Sequence, residues 1–103
     1  MLRIHRTDRA GEDLIAIWSH IARDSPATAD STLDAIEERW RQLGRFPRSG
    51  RVRDDIAPGV RCLVAGSYLM LYSIGDEAIT ILRVLHGRRK IDRNSVQALG
   101  EVR

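Results

Sequence analysis

Three apolar runs stand close together late in the chain: Val60-Arg61-Cys62-Leu63-Val64-Ala65, Tyr68-Leu69-Met70-Leu71-Tyr72-Ser73-Ile74 and Ile79-Thr80-Ile81-Leu82-Arg83-Val84-Leu85-His86. Each is short, rich in β-branched or aromatic residues and bounded by turn residues, which is the pattern of a strand. Gly66-Ser67 parts the first two runs and Gly75-Asp76-Glu77 the last two, and links that short make hairpins. The runs are therefore expected to be neighbouring antiparallel strands of one sheet. The third leads into His86-Gly87-Arg88-Arg89-Lys90, a burst of positive charge. Function is expected on the open face of this sheet and on its charged edge.

The chain upstream reads as support for the sheet. Leu2-Arg3-Ile4-His5-Arg6 alternates apolar and polar residues, giving a short first strand with Leu2 and Ile4 inward. Thr7 or Asp8 can cap the helix that follows, because a side-chain oxygen satisfies free amides at a helix start. From Ala10 to Arg23, the residues Leu14, Ile15, Ile17, Trp18, Ile21 and Ala22 share one broad helical face. Asp24-Ser25-Pro26 interrupts it, with Pro26 suited to a first helical position and Ser25 to its cap. A second helix then runs to about Leu43, on a seam of Ala29, Leu33, Ile36, Trp40 and Leu43, with Gly44 as its stop. Two amphipathic helices joined by a tight break form an αα-hairpin. Both tryptophans are expected in the core, and Asp34, Glu37 and Glu38 on a solvated flank.

Residues 44–59 make a long connection carrying several arginines, which Phe46 and Ile56 are expected to pin to the core. Pro58-Gly59 turns it into the sheet. After Lys90, Asn94 can cap one or two helical turns ending at Gly100, or residues 93–103 form a loose tail. The element order β-α-α-β-β-β is that of an α+β fold, a small antiparallel sheet with a helical hairpin on one face.

The totals agree with a single domain. A chain of 103 residues has room for one core. Its apolar fraction of 43% and charged fraction of 30% are ordinary for a globular protein. No run is long and apolar enough for a membrane span and no charged-then-apolar leader is evident, so the expected location is the cytoplasm. Cys62 is the sole cysteine, which excludes an internal disulfide and argues against zinc. His5, His20 and His86 show no ligand spacing, so neither a metal nor another cofactor is expected. Net charge is +3, and every cation except Lys90 is an arginine, the side chain whose fork suits phosphate and carboxylate.

Six residues stand out as candidates for a site. Arg61 and Arg83 lie within apolar strands, where a guanidinium must be paired or have a partner supplied. Asp54, Asp55 or a helix carboxylate could pair them. His86 ends the third strand, where an imidazole could move a proton. Arg88, Arg89 and Lys90 offer a cationic edge to a protein or nucleic acid.

Taken together, the element order, the Leu14-to-Ile21 helix with Trp18, and the Pro47-Arg48-Ser49-Gly50-Arg51 loop resemble the RelE/ParE toxin superfamily. So do the Pro58-Gly59-Val60-Arg61 turn and the Ile81-Leu82-Arg83-Val84-Leu85-His86-Gly87-Arg88-Arg89 ending. The resemblance spans Leu2 to about Asp92. It implies the toxin of a bacterial type II toxin–antitoxin pair, forming a hetero-oligomer with a ParD-like or other small antitoxin. Two activities occur in the superfamily. ParE-like members poison DNA gyrase, whereas RelE-like members cut messenger RNA on the ribosome. In the second case Arg61, Arg83 and His86 would be catalytic, with cations for the phosphorane charge and an acid or base for proton transfer. Some ribonuclease members carry a catalytic histidine at this position with an aromatic after it, and lysine-rich catalytic loops also occur among them; here Gly87 follows, and the loop has no lysine. The resemblance therefore points toward the ParE-like branch, with target contact through Arg61, Arg83, His86, Arg88, Arg89 and Lys90. An antitoxin could lay an amphipathic helix and an added strand against the helical hairpin and the nearby sheet edge.

Overall fold

A computed structural model describes residues 1–88 and 91–97. Its elements are β1 (Arg3–Arg6), α1 (Asp8–Ala22), α2 (Pro26–Arg45), a 3-10 turn (Pro47–Ser49), β2 (Arg51–Val52), β3 (Val60–Ala65), β4 (Tyr68–Ile74), β5 (Ala78–His86) and α3 (Asn94–Gln97). Arg89, Lys90 and the end of the expected C-terminal helix lie outside the described residues.

The α+β class and the helical hairpin on one sheet face are as expected, while the sheet differs in two ways. It has five strands in the order β1-β5-β4-β3-β2, the extra one being β2 within the long connection. It is also mixed, because β1 pairs in parallel with β5 (Arg3 opposite Ala78, Arg6 opposite Ile81) while the other pairs are antiparallel. A two-residue strand leaves no alternation to read, and a first strand does not declare its partner.

The hairpin turns behave as their residues dictate. Gly66 has φ 61° while Ser67 has no positive φ, the combination of a type II′ turn. Gly59 has φ 80°, which a side chain would resist, and it delivers the chain into β3.

Two apolar layers sandwich the sheet. On the helical side Ala10 and Leu14 of α1 and Ile36, Trp40 and Leu43 of α2 pack against Leu63, Met70, Tyr72, Ile79 and Ile81. The far face is not open, contrary to expectation. Ile56 of the β2–β3 connection and Val96 of α3 cover Val60, Leu71, Leu82 and Leu85. Within the described residues, Val96 docks the C-terminal segment against the sheet.

Caps explain the helix ends. Thr7 Oγ1 accepts from the amide of Ala10 (3.0 Å) and donates to the carbonyl of Leu82 (2.9 Å), so one hydroxyl caps α1 and ties it to β5. Ser25 caps α2 by accepting from the amide of Thr28, with Pro26 in the first turn.

Gly44 does not stop α2, which runs one residue further. Its carbonyl, one of those a helix end leaves unpaired, accepts from the amide of Leu2 at 3.0 Å. A Cβ here would meet the Leu2 carbonyl oxygen at 3.0 Å, so this glycine serves the close approach of β1.

Three apolar side chains are less buried than their spacing implies. Trp40 is buried, but Trp18 is 37% exposed and donates its indole N–H to Asp30 at 2.8 Å across the helical hairpin. Ile15 is 69% exposed, and Phe46 is 65% exposed and does not pin the connection. The apolar face of α1 is wider than the sheet beneath it. Ile56, the other expected anchor of the connection, is buried.

Candidate functional site

The candidate residues are best followed along β5. The β4–β5 register pairs Tyr72 with Ile81 and Leu71 with Arg83, which leaves Leu82 as the extra residue of a β-bulge. The bulge re-aims Arg83. Its guanidinium forms a two-pronged pair with Asp13 of α1 (Nε–Oδ2 2.7 Å, Nη2–Oδ1 3.0 Å) and donates its Nη1 to the carbonyl of Ser95 (2.8 Å). Asp13 Oδ2 also accepts from the amide of Val84 at 3.0 Å, on the part of β5 beyond its pairing with β1. One buried ion pair therefore joins α1, β5 and α3. The partner of Arg83 is a helix carboxylate, neither Asp54 nor Asp55, and the guanidinium is left with little to offer a phosphate.

Arg61 is held by the chain as well. Its Nη1 donates to the carbonyls of Arg48 (3.3 Å) and Gly50 (2.8 Å). Tyr72, directly across the β3–β4 ladder from Arg61, donates its hydroxyl to the carbonyl of Pro47 and accepts from the amide of Gly50, each at 2.8 Å. Burial pushes the Tyr72 hydroxyl above the ordinary tyrosine range, the Gly50 amide opposing it, so the proton stays where the Pro47 carbonyl needs it. Two side chains from adjacent strands thus clamp the 47–50 turn. Gly50 completes the clamp, since a Cβ there would lie 2.4 Å from the Tyr72 hydroxyl oxygen.

His86 is exposed at the end of β5. Its ring meets Tyr68 edge-on (centroids 5.4 Å apart, planes at 78°), and Nδ1 accepts from the amide of Arg88 at 3.1 Å. Gly87 packs against the β3–β4 turn, its amide donating to the Ser67 carbonyl at 2.8 Å; a Cβ would sit 3.2 Å from that oxygen. Tyr68 stands opposite His86 and Tyr72 opposite Arg61. Four residues of β4 thus separate the two levels, roughly 13 Å at strand rise. Arg61, Arg83 and His86 do not converge. Among the described residues no group of three or more His, Cys, Asp or Glu side chains is placed to hold a metal ion.

Asp13, Tyr72 and Gly50 carry no signal in the sequence that marks them for these roles. Asp13 is one of several helix carboxylates, Tyr72 reads as core, and Gly50 as loop composition.

A different feature is the cleft beside α1. About 630 Å³ in volume, it is lined by Arg6, Gly11, Leu14, Ile15, Trp18 and Leu33, among others. It gathers the apolar side chains that α1 leaves uncovered. Two smaller clefts of about 400 and 450 Å³ continue from it between β1 and α2, linked through Arg6, Glu37, Ile4 and Arg41. The result is a trough along the free edge of β1. No helix of the described residues is long and apolar enough to cross a membrane.

Comparison with known proteins agrees with this architecture. A structure of the chromosomal ParDE TA system from P. aeruginosa superposes with a TM-score of 0.72 at 27% identity, covering 84% of this chain and 96% of that one. Toxin ParE3 of Caulobacter vibrioides is 33% identical over 92 residues, 88% of this chain and 92% of that protein. Toxin ParE1 of Mycobacterium tuberculosis is 49% identical over 67 residues, 64% of this chain and 68% of that protein. The fold and the matches define a small α+β toxin. The sequence model described as the ParE toxin of type II toxin-antitoxin system, parDE, matches residues 4–91, and the chain belongs to that family.

Proposed function

We propose that this toxin acts in the cytoplasm by binding DNA gyrase rather than by cutting RNA, and that a small ParD-like antitoxin holds it in a hetero-oligomer. The observation that carries this reading is the commitment of both strand arginines within the chain, Arg83 to Asp13 and Arg61 to the 47–50 turn. A phosphorane would need those guanidinium groups free and close to a proton-transfer group, whereas His86 stands roughly 13 Å along the sheet from the level of Arg61. The ParE name of the curated relatives agrees with the gyrase side. Inhibition of gyrase supercoiling by the purified protein tests it. Growth arrest is expected to persist in His86→Ala, with no new 5′ ends on ribosome-bound messenger. Codon-specific cleavage lost in His86→Ala, with gyrase unaffected, would replace this reading with the ribosome-dependent endonuclease.

The trough along β1 suits the antitoxin. Exposed Ile15 and Trp18 can receive the apolar face of a helix, and the free edge of β1 can accept an added strand. Because Ile15 is so exposed, Ile15→Asp should alter stability by less than about 0.5 kcal/mol. Binding of the antitoxin encoded beside the toxin should nevertheless weaken tenfold or more, by about 1.4 kcal/mol, in titration calorimetry. Unchanged affinity would move the antitoxin elsewhere.

A further inference from the structure

The sheet has a second free edge, β2, at the far side from β1. Its character is cationic. Arg51 stands opposite Cys62 and Val52 opposite Arg61, so Arg51 and Arg53 share the Cys62 face of this edge, while Arg61 lies on the other face and donates to the carbonyl of Arg48. Arg48 and Arg51 are exposed, and neither is in an ion pair among the described residues. The two nearby carboxylates are engaged: Asp55 pairs with Arg53, and Asp54 accepts from the amide of Gly59 at 2.9 Å.

The backbone carrying these cations is fixed. Arg61 and Tyr72 between them make four hydrogen bonds to residues 47–50. A loop held this way presents its guanidinium groups without paying ordering entropy on binding, which is what a charge-reading surface requires. Arginine forks on a rigid edge match the regularly spaced phosphates of a nucleic-acid backbone better than they match scattered carboxylates on a protein.

We propose that the β2 edge, through Arg48 and Arg51 with Arg61 and Tyr72 as positioning residues, binds the phosphate backbone of duplex DNA. The choice of DNA over RNA rests on the gyrase reading, since a gyrase complex carries DNA beside the protein the toxin engages. Contacts to phosphate position a protein on DNA without selecting sequence. The surface would therefore orient the toxin on whatever DNA the enzyme holds. Because β2 and β1 are opposite edges of the sheet, this contact and the trough proposed for the antitoxin are separate.

The test is fluorescence anisotropy of a short labelled DNA duplex titrated with toxin over a series of salt concentrations. The Arg48→Ala/Arg51→Ala protein is compared with Arg9→Ala/Arg23→Ala, which removes the same charge from exposed positions on or beside α1. Thermal melts confirm that both pairs fold. Loss of two phosphate contacts should flatten the plot of log affinity against log salt by about two and weaken binding about tenfold or more, with the α1 pair near wild type. Equal losses in the two pairs, no binding by the wild type, or tighter binding to an RNA duplex of the same sequence would overturn the proposal. Supercoiling assays on the same preparations separate the two readings. Gyrase inhibition without DNA binding leaves the target reading standing and removes this surface. DNA binding without gyrase inhibition does the reverse.

Discussion

Asp13→Ala is expected to destabilise the protein by about 3–5 kcal/mol, because it leaves the buried Arg83 guanidinium without the only carboxylate paired with it among the described residues. The Arg83 side chain is only 5% exposed and that of Asp13 12%, so water can do little to compensate. The amide of Val84 and the carbonyl of Ser95 would lose their geometry together, since both depend on the same pair. Urea unfolding followed by circular dichroism reads the loss as a lower midpoint. Arg83→Met should cost a similar amount, while Asp13→Leu/Arg83→Met should recover only part of it, because replacing both charges removes the unpaired ion but leaves the Val84 amide and the Ser95 carbonyl without partners. A single-variant loss under about 1 kcal/mol would mean that the pair is effectively solvated. The same experiment bears on function. If Arg83 were catalytic, a variant that kept the midpoint would still lose activity.

Stability should also suffer in Gly50→Ala, by a different mechanism. The added methyl would lie 2.4 Å from the Tyr72 hydroxyl oxygen, 2.6 Å from its ring carbon and 2.9 Å from the Cys62 carbonyl oxygen. Tyr72 is wholly buried and has no room to swing away. Overpacking of this kind costs about 1–3 kcal/mol, and two strands plus the turn must give at once, so the upper end is expected. Tyr72→Phe alone leaves the Gly50 amide and the Pro47 carbonyl short of a partner, a loss of about 1–3 kcal/mol. Because Tyr72→Phe also removes the nearest clashing atom, the double variant should fall short of the sum of the two single losses. Additive losses would show that the hydroxyl is not what excludes a side chain at residue 50.

The contrast between these two sites and the strands around them indicates what a sequence can disclose. The three late strands, the αα-hairpin, the Ser25 cap and the seam from Ala29 to Leu43 were legible because each depends on residues close in the chain. Arg83 was conspicuous for the same reason, a charge inside an apolar run. Its partner was not, since Asp13 lies 70 residues away and the bulge at Leu82 breaks the alternation by which a side chain's direction is judged. Trp18 and Ile15 failed in a complementary way. Helical spacing places them on the apolar face correctly, but only the width of the sheet decides how much of that face is covered. For Tyr72 the sequence supplies burial and hides the use of the hydroxyl.

The parallel pairing of β1 with β5 has a consequence for how the toxin comes into being. Arg3 lies opposite Ala78, so β1 must wait for β5 to emerge before it has a neighbour. Synthesis at about 5–20 residues per second makes that interval several seconds. During it the helical hairpin has no completed sheet on which to rest, and the closing contact spans most of the chain, which slows the final step. The Asp13–Arg83–Ser95 junction is assembled later still, because Ser95 follows β5. A ribosome making this protein therefore carries no finished toxin until β5 and Ser95 have emerged, and a transcript cut short before β5 encodes a chain that cannot close its sheet.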